Sequence, residues 1–181
     1  MGESSKKTLW QMGVQLPDGQ FARVLQHFPG DEPSLSIQSS AAQAYLFIKA
    51  YDRCMEERRL IGATHEALYI PAAICAAFAL ELSLKTIIVS EEHSPRVRGK
   101  NSHDLFDLFE IIDSERQKII IERTGLPRDF FLKGLQQIRT IFEELRYFYE
   151  TPKHFAIDFG FLHKLVVAIE PEIDVLRKDK I

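Results

Sequence analysis

Apolar residues recur three and four positions apart over most of this chain, which is the spacing of helices with one buried side. We expect a first long helix opened by the capping box Ser40-Ala-Ala-Gln43 and running to about Leu60, before Gly62. A second helix, from Glu66 to about Glu91, is apolar nearly all the way round, so we expect the other helices to surround it. Pro71 is compatible with this helix because it lies in or near the first turn.

Two shorter helices are predicted after a basic loop. Asn101 and Ser102 are good caps for a third helix. Ser114-Glu-Arg-Gln117 is a second capping box, and the helix that it opens should end at Gly125. Both are short amphipathic segments that need a partner to cover their apolar side.

The last third of the chain predicts two more long helices. Pro127 precedes a helix whose apolar seam is Phe131, Leu135, Ile138, Phe142, Leu145 and Tyr149. Asp158 caps a final helix that should be kinked or broken near Pro171, since proline removes a helical hydrogen bond.

Residues 1–38 differ from the rest of the chain. Turn signals at Leu16–Gly19 and Pro29–Pro33 flank a short apolar piece, which suits a hairpin or a short arm packed on the main body. No strand pattern competes with helix after this region. We therefore predict an irregular arm over 1–38 and an all-α, up-and-down bundle of four to five helices over 39–181.

Composition narrows the class of protein further. Hydrophobic residues make up 45% and charged residues 27% of 181 residues, as in an ordinary globular domain. The net charge of −3 argues against a protein that coats nucleic acid over its whole surface, although a local basic patch is compatible with it. Cys54 and Cys75 lack metal-ligand spacing, and no apolar run follows the first lysines. We expect a soluble, cytoplasmic protein with free thiols, no metal and no cofactor.

Glu81 and Lys85 are charged residues in the middle of the most apolar helix. Their spacing of four, with the glutamate first, favours an ion pair on one side of the helix. One interpretation is a partly buried pair that gives specificity to the packing. The other places both residues at a groove, where one orients an arginine or contacts RNA. Both would be costly in a bilayer, which argues against a membrane span.

His103 and Asp104 begin the third helix and follow a loop that contains Arg96, Arg98 and Lys100. Asp104 suits the helix N-terminus, and His103 can bond free amides or a neighbouring carboxylate. A structural cap and a solvated loop explain these residues. The alternative is a phosphate-binding edge formed by the three basic residues and His103.

Arg146 lies near the end of the seam helix, between the aromatic residues Phe142 and Tyr149, and His154 follows it. An arginine with a nearby histidine can cleave RNA without a metal ion. The histidine handles protons at the 2′-hydroxyl, while the guanidinium stabilises charge on the phosphate. We place Tyr149 with the candidate binding residues.

Three pieces in this order resemble the HEPN family, the nucleotide-binding helical bundles of prokaryotic toxin–antitoxin and antiviral systems. They are ALELSLK at Ala79–Lys85, SHDLFDLF from Ser102, and FEELRYFYE at Phe142–Glu150, so the resemblance covers roughly residues 40–170. It implies a compact α-bundle, commonly dimeric, with a groove for RNA or a nucleotide. In active members an arginine and a histidine about four to six residues apart act together from both protomers.

The chain departs from that spacing. Arg146 matches the arginine by position, but His154 comes eight positions later. Arg59 and His65 have the family's separation, yet they fall between the first two helices, and we interpret them as structural.

Two functions remain open. The first is a HEPN-like homodimer that binds RNA or a nucleotide near Arg146, His103 and the 96–100 loop; if it cleaves RNA, His154 or His103 would move the proton. The second is a noncatalytic module that docks an antitoxin, a nucleotidyltransferase or another subunit on the apolar helix Phe130–Tyr149. A small-molecule pocket inside the bundle has only the few buried charges in its favour.

Overall fold

A computed structural model describes residues 10–15, 21–27, 37–56, 58–59, 65–66, 68–91, 103–146 and 156–178. For the strands and for residue 146 it describes the backbone only. The chain divides into two compact units, Met1–Leu35 and Ser36–Ile181.

The first unit contains an antiparallel strand pair. Strand β1 spans Trp10–Gln15 and strand β2 spans Phe21–His27, with Trp10 opposite His27 and Gln15 opposite Phe21. The register shifts at Met12/Gly13, which indicates a bulge.

The second unit opens with α1, Ile37–Met55, and has α2, Tyr69–Ser90, at its centre. Helix α1 begins before the predicted capping box, so Ser40 lies buried inside the helix and does not cap it. Pro71 occupies the first turn of α2, as predicted.

Between α1 and α2, two very short strands, β3 (Arg58–Arg59) and β4 (His65–Glu66), pair in antiparallel fashion. The expectation of no strand beyond residue 38 was therefore wrong here. The first helix was predicted to end at about Leu60 but ends at Met55, and the second was predicted to begin at Glu66 but begins at Tyr69. Two-residue strands are too short to show the alternation that identifies a strand in a sequence.

The two short helices are α3, Leu105–Ile111, and α4, Ser114–Thr124. Aspartates cap both: Asp104 accepts hydrogen bonds from two backbone N–H groups of α3, and Asp113 accepts one from α4. The predicted Ser114 box was therefore one residue late. Helix α4 ends at Gly125 as predicted, and a positive φ of 68° explains the glycine.

The predicted seam helix is two helices, α5 (Arg128–Gln137) and α6 (Ile141–Arg146). The chain turns over residues 138–140, where the carbonyl of Arg139 accepts a hydrogen bond from the N–H of Leu105 (2.9 Å). A continuous helix was therefore the wrong prediction. The long-range contact with the start of α3 favours the turn, although the apolar spacing continues through it.

The last helix, α7, runs from Phe159 to Lys178 and contains Pro171. We predict a kink or a break near this proline, and because α7 continues through it, the break was wrong. Pro171 removes one N–H, but Ile169 and Ile173 on either side of it are fully buried, so packing holds the helix together.

Apart from the two-residue strands β3 and β4, the described part of the second unit is a helical bundle, which confirms the predicted all-α fold class. Seven helices are described, more than the predicted four to five, because two of them come from the divided seam helix and two are short. Helix α2 packs against α1, α3, α6 and α7, and α7 also packs against α1 and α4.

Among the described residues, Tyr69–Ser90 is a helix long and apolar enough to cross a membrane. Of its most apolar window, 67% is buried in the bundle. The central helix of a bundle can be equally apolar, because its neighbours cover it on most sides. The apolar side chains of this helix therefore form part of the core of the bundle.

Candidate functional site

One polar cluster among the described residues centres on the Glu81 carboxylate. One oxygen, Oε1, accepts a hydrogen bond from Lys85 Nζ at 2.6 Å and lies 2.9 Å from His103 Nδ1. The predicted Glu81–Lys85 pair is confirmed, and His103 joins it from 22 residues away in the chain. The cluster therefore links the middle of α2 to the start of α3.

Burial makes this cluster unusual. The side chains of Glu81 and Lys85 are 10% and 16% exposed, whereas His103 is 45% exposed. The second oxygen of Glu81, Oε2, is buried without a hydrogen-bond partner in the part of the chain that the structure describes. Burying a carboxylate oxygen without a hydrogen bond costs free energy of folding. Glu81 Oε2 can therefore accept a hydrogen bond from a donor that reaches the base of the cluster.

A row of aromatic rings lies beside the cluster. The His103 ring stacks on Phe142 (5.9 Å between centroids), and Phe142 meets Phe78 edge to face at 4.6 Å. Phe78 in turn stacks on Phe47 of α1 at 5.0 Å. Phe142 and Phe47 are partly buried and Phe78 is more than a third exposed, so the row reaches from His103 toward the surface.

A second ion pair holds the start of α3 against the turn after α5. Asp104 accepts a hydrogen bond at Oδ2 from Arg139 Nε (2.6 Å), and its Oδ1 caps α3. Arg139 also donates from Nη2 to Asp107 Oδ1 at 3.0 Å. The hydrogen bond that Arg139 donates to Asp104 raises the pKa of Arg139. Because both oxygens of Asp104 already have protein partners, its described role is structural.

The remaining predicted site residues fall into two groups. Arg146 is the last residue of α6, four residues after Phe142, and the structure describes its backbone only. Arg96, Arg98, Lys100, Tyr149 and His154 lie outside the described residues.

Arg59 and His65 stand directly opposite each other in the β3–β4 pair. Both residues therefore belong to the short strand pair that connects α1 and α2. They do not belong to the Glu81 cluster as the described part of the chain presents it.

Sequence reasoning missed Arg139 and the aromatic row. The sequence did contain a signal for the turn that carries Arg139: Thr140-Ile-Phe-Glu143 fits a capping box, which marks the start of a new helix. The structure places a helix start there, and the Thr140 hydroxyl donates to Glu144 Oε1 at 2.8 Å. No local pattern indicates that Phe47, Phe78 and Phe142 meet, because they come from three different helices.

The geometry determines which nitrogen of His103 is available for chemistry. A carboxylate that carries its charge can only accept a hydrogen bond, so with Glu81 in that form the proton of the contact lies on His103 Nδ1. In the neutral ring, Nε2 is then an unprotonated acceptor on a half-exposed imidazole. This is the arrangement of a general base oriented by a carboxylate.

No group of three or more potential metal ligands occurs among the described residues. Comparison of the chain with protein-family models, with curated proteins and with solved structures found no match.

Proposed function

We propose that this chain is a HEPN-like RNA-binding protein whose His103 and Arg146 cleave RNA without a metal ion. The observation that carries the proposal is the tether between His103 Nδ1 and Glu81, which leaves Nε2 as a proton acceptor. The stack of His103 on Phe142, one turn from Arg146 on the same helix, adds the second reacting group.

Each residue then has a chemical role. His103 Nε2 takes the proton of a ribose 2′-hydroxyl while the 2′-oxygen attacks the neighbouring phosphorus. Arg146 stabilises the negative charge that develops on the phosphate oxygens. The departing 5′-oxygen takes a proton from His154 or from the protonated His103, which leaves a 2′,3′-cyclic phosphate and a 5′-hydroxyl. Glu81 acts through His103 and is a positioning residue.

The binding part of the proposal has its own support. In the sequence, Lys100 precedes His103 by three residues, and Arg96 and Arg98 come shortly before it, so a basic segment leads into the site. The exposed edge of the aromatic row at Phe78 offers a surface on which an unpaired base can stack.

The test is incubation of labelled single-stranded and hairpin RNAs with the protein in the presence of a chelator, followed by analysis of the RNA ends. We expect cyclic phosphate ends, with cleavage reduced on the order of 100-fold or more in His103→Ala and Arg146→Ala. His163→Ala and Arg128→Ala are matched controls, because each removes the same kind of side chain elsewhere in the bundle.

Two results would contradict the proposal: cleavage that both site variants retain, or RNA affinity that does not fall as salt rises. Counterion release makes contacts between basic residues and phosphates salt-sensitive. Glu81→Gln should reduce the cleavage rate while leaving the affinity for RNA nearly unchanged, which separates positioning from binding.

A partner-binding module is the second candidate, and one observation favours it. Ile70, Ile74 and Phe78 lie four residues apart on α2, and each is more than a third exposed. An exposed apolar stripe of this kind suits a protein partner. Most of the described apolar seam of Phe130–Tyr149 is buried in the chain's own core, so we assign the docking face to α2 instead; the buried seam residues are Phe131, Leu135, Ile138 and Leu145.

The two candidates separate on one experiment. A partner-binding module should elute from its native host as a stable complex and show no salt-sensitive affinity for RNA. In that case Ile74→Asp should release the partner, whereas His103→Ala should not.

A further inference from the structure

An open groove of about 450 Å³ lies between α5 and the start of α7, on parts of the bundle separate from the Glu81 cluster. Phe130, Lys133 and Gly134 line it from α5, and Asp158, Phe161 and Lys164 line it from the other side. Its volume falls within the roughly 300–1,000 Å³ that is usual for small-molecule sites.

Gly134 explains how the floor of the groove is built. A Cβ atom at this position would lie 2.6 Å from two ring carbons of Phe161, closer than real side chains approach. Glycine therefore lets the buried Phe161 ring sit directly against the backbone of α5. The ring closes the floor, while Phe130, four residues before Gly134, stands at the rim and is 69% exposed.

The two lysines give the groove an excess of positive charge. Seven other basic side chains of the described residues form ion pairs with carboxylates: Lys49, Lys85, Arg116, Arg123, Arg139, Arg177 and Lys178. Within the described part of the chain, no such pair is formed by Lys133 or Lys164. Lys164 donates only a long hydrogen bond to the carbonyl of Thr124 (3.4 Å).

The acidic residue of the groove is already engaged. Asp158 Oδ1 accepts a hydrogen bond from the N–H of Phe161 at 3.0 Å, as an N-cap of α7. Two lysines against one capping carboxylate leave a local charge of +1 in a chain whose net charge is −3. The groove thus combines unpaired ammonium groups with an exposed aromatic face.

We propose that this groove binds a phosphomonoester that carries a flat aromatic ring, with the phosphate between Lys133 and Lys164 and the ring on Phe130. Ammonium groups bind phosphate oxygens through charge-assisted hydrogen bonds. Stacking on a planar group covers an aromatic side chain that the fold otherwise leaves in water.

Isothermal titration calorimetry of the whole chain with AMP, adenosine and inorganic phosphate tests this proposal. AMP should bind more tightly than either of its halves. Lys133→Gln and Lys164→Gln should each raise the Kd for AMP about tenfold or more, since each removes one charge-assisted hydrogen bond. Phe130→Ala should weaken AMP binding but leave phosphate binding unchanged. All three residues are exposed, so these variants should fold.

Lys118→Gln is the matched control, because it removes an exposed lysine from α4 outside the groove. The proposal is overturned if AMP gives no binding, if the double variant Lys133→Gln/Lys164→Gln binds AMP normally, or if the control weakens binding equally. AMP binding that is lost in His103→Ala but kept in the double variant would also overturn it, and would support the Glu81 site. Loss of RNA cleavage alone would leave this groove unaffected.

Discussion

Removal of the Glu81 carboxylate should destabilise the bundle far more than removal of a surface acid. Glu81 and Lys85 are 10% and 16% exposed, so Glu81→Ala leaves an ammonium group largely out of water without its counterion. Breaking a buried pair from one side costs about 3–5 kcal/mol. Because Lys85 keeps some exposure and can turn toward water, we expect a loss of about 2–4 kcal/mol in the free energy of unfolding.

The chain contains a matched control pair. Asp174 and Lys178 on α7 have the same spacing and the same order as Glu81 and Lys85, but their side chains are 34% and 61% exposed. Asp174→Ala should therefore change stability little, since water replaces the lost contact. Each acid also has one further basic partner, His103 for Glu81 and Arg177 for Asp174, so burial is the main difference between the two pairs.

Urea unfolding measures the coupling energy between Glu81 and Lys85. It compares the unchanged protein, Glu81→Ala, Lys85→Met and the double variant. Lys85→Met in the background of Glu81→Ala should restore at least about 1 kcal/mol, because the second change removes the unpaired charge and keeps the apolar stem. The reasoning is refuted if Glu81→Ala costs no more than Asp174→Ala, or if the two changes at 81 and 85 simply add. An unchanged m value is required for the comparison.

Three other predictions concern single positions. Gly134→Ala should destabilise the protein by about 1–2 kcal/mol in urea unfolding, because the clash with Phe161 outweighs the helix propensity of alanine; a gain in stability would contradict the close approach. Asp104→Ala should cost about 1–2 kcal/mol, while Asp104→Asn should cost less since its amide oxygen can still cap α3; equal losses in urea unfolding would argue against the cap. Burial raises the pKa of Tyr51 above its usual value of 10.0, so stability that is complete below pH 10.0 should fall as the pH rises through the folded pKa. Tyr51→Phe should lack this alkaline loss in urea titrations, and an unchanged pH profile would refute its assignment to Tyr51.

The sequence predicted the helices that local signals define. All-round apolarity identified α2 as the central helix, and Gly125 marked the end of α4 because a residue with φ of 68° favours glycine. The Glu81–Lys85 pair followed from a spacing of four on one helix. In each case the cause lies within a few residues of its effect.

The predictions that failed concern features that depend on residues far away in the sequence or on burial in the fold. The seam at Phe131, Ile138 and Phe142 keeps helical spacing through residues 138–140, yet the chain turns there because of contacts with residues 104 and 105. Pro171 is a helix breaker by local rules, but buried neighbours on both sides hold α7 together. Tertiary contacts support both outcomes, and a single sequence does not display them; at the turn after α5 the capping box at Thr140–Glu143 was the one local signal.

The turn after α5 also assembles the candidate site. Arg139 binds Asp104 through its side chain and Leu105 through its backbone carbonyl, and Phe142 stacks on His103 three residues later. Two residues of one segment, 139 and 142, thus contact three consecutive residues of the other, 103–105. Since α6 begins at this turn, the same segment that interrupts the seam places Phe142 against the imidazole that contacts Glu81. The turn that helical periodicity does not predict is therefore the feature that brings α6, through Phe142, to the Glu81 cluster.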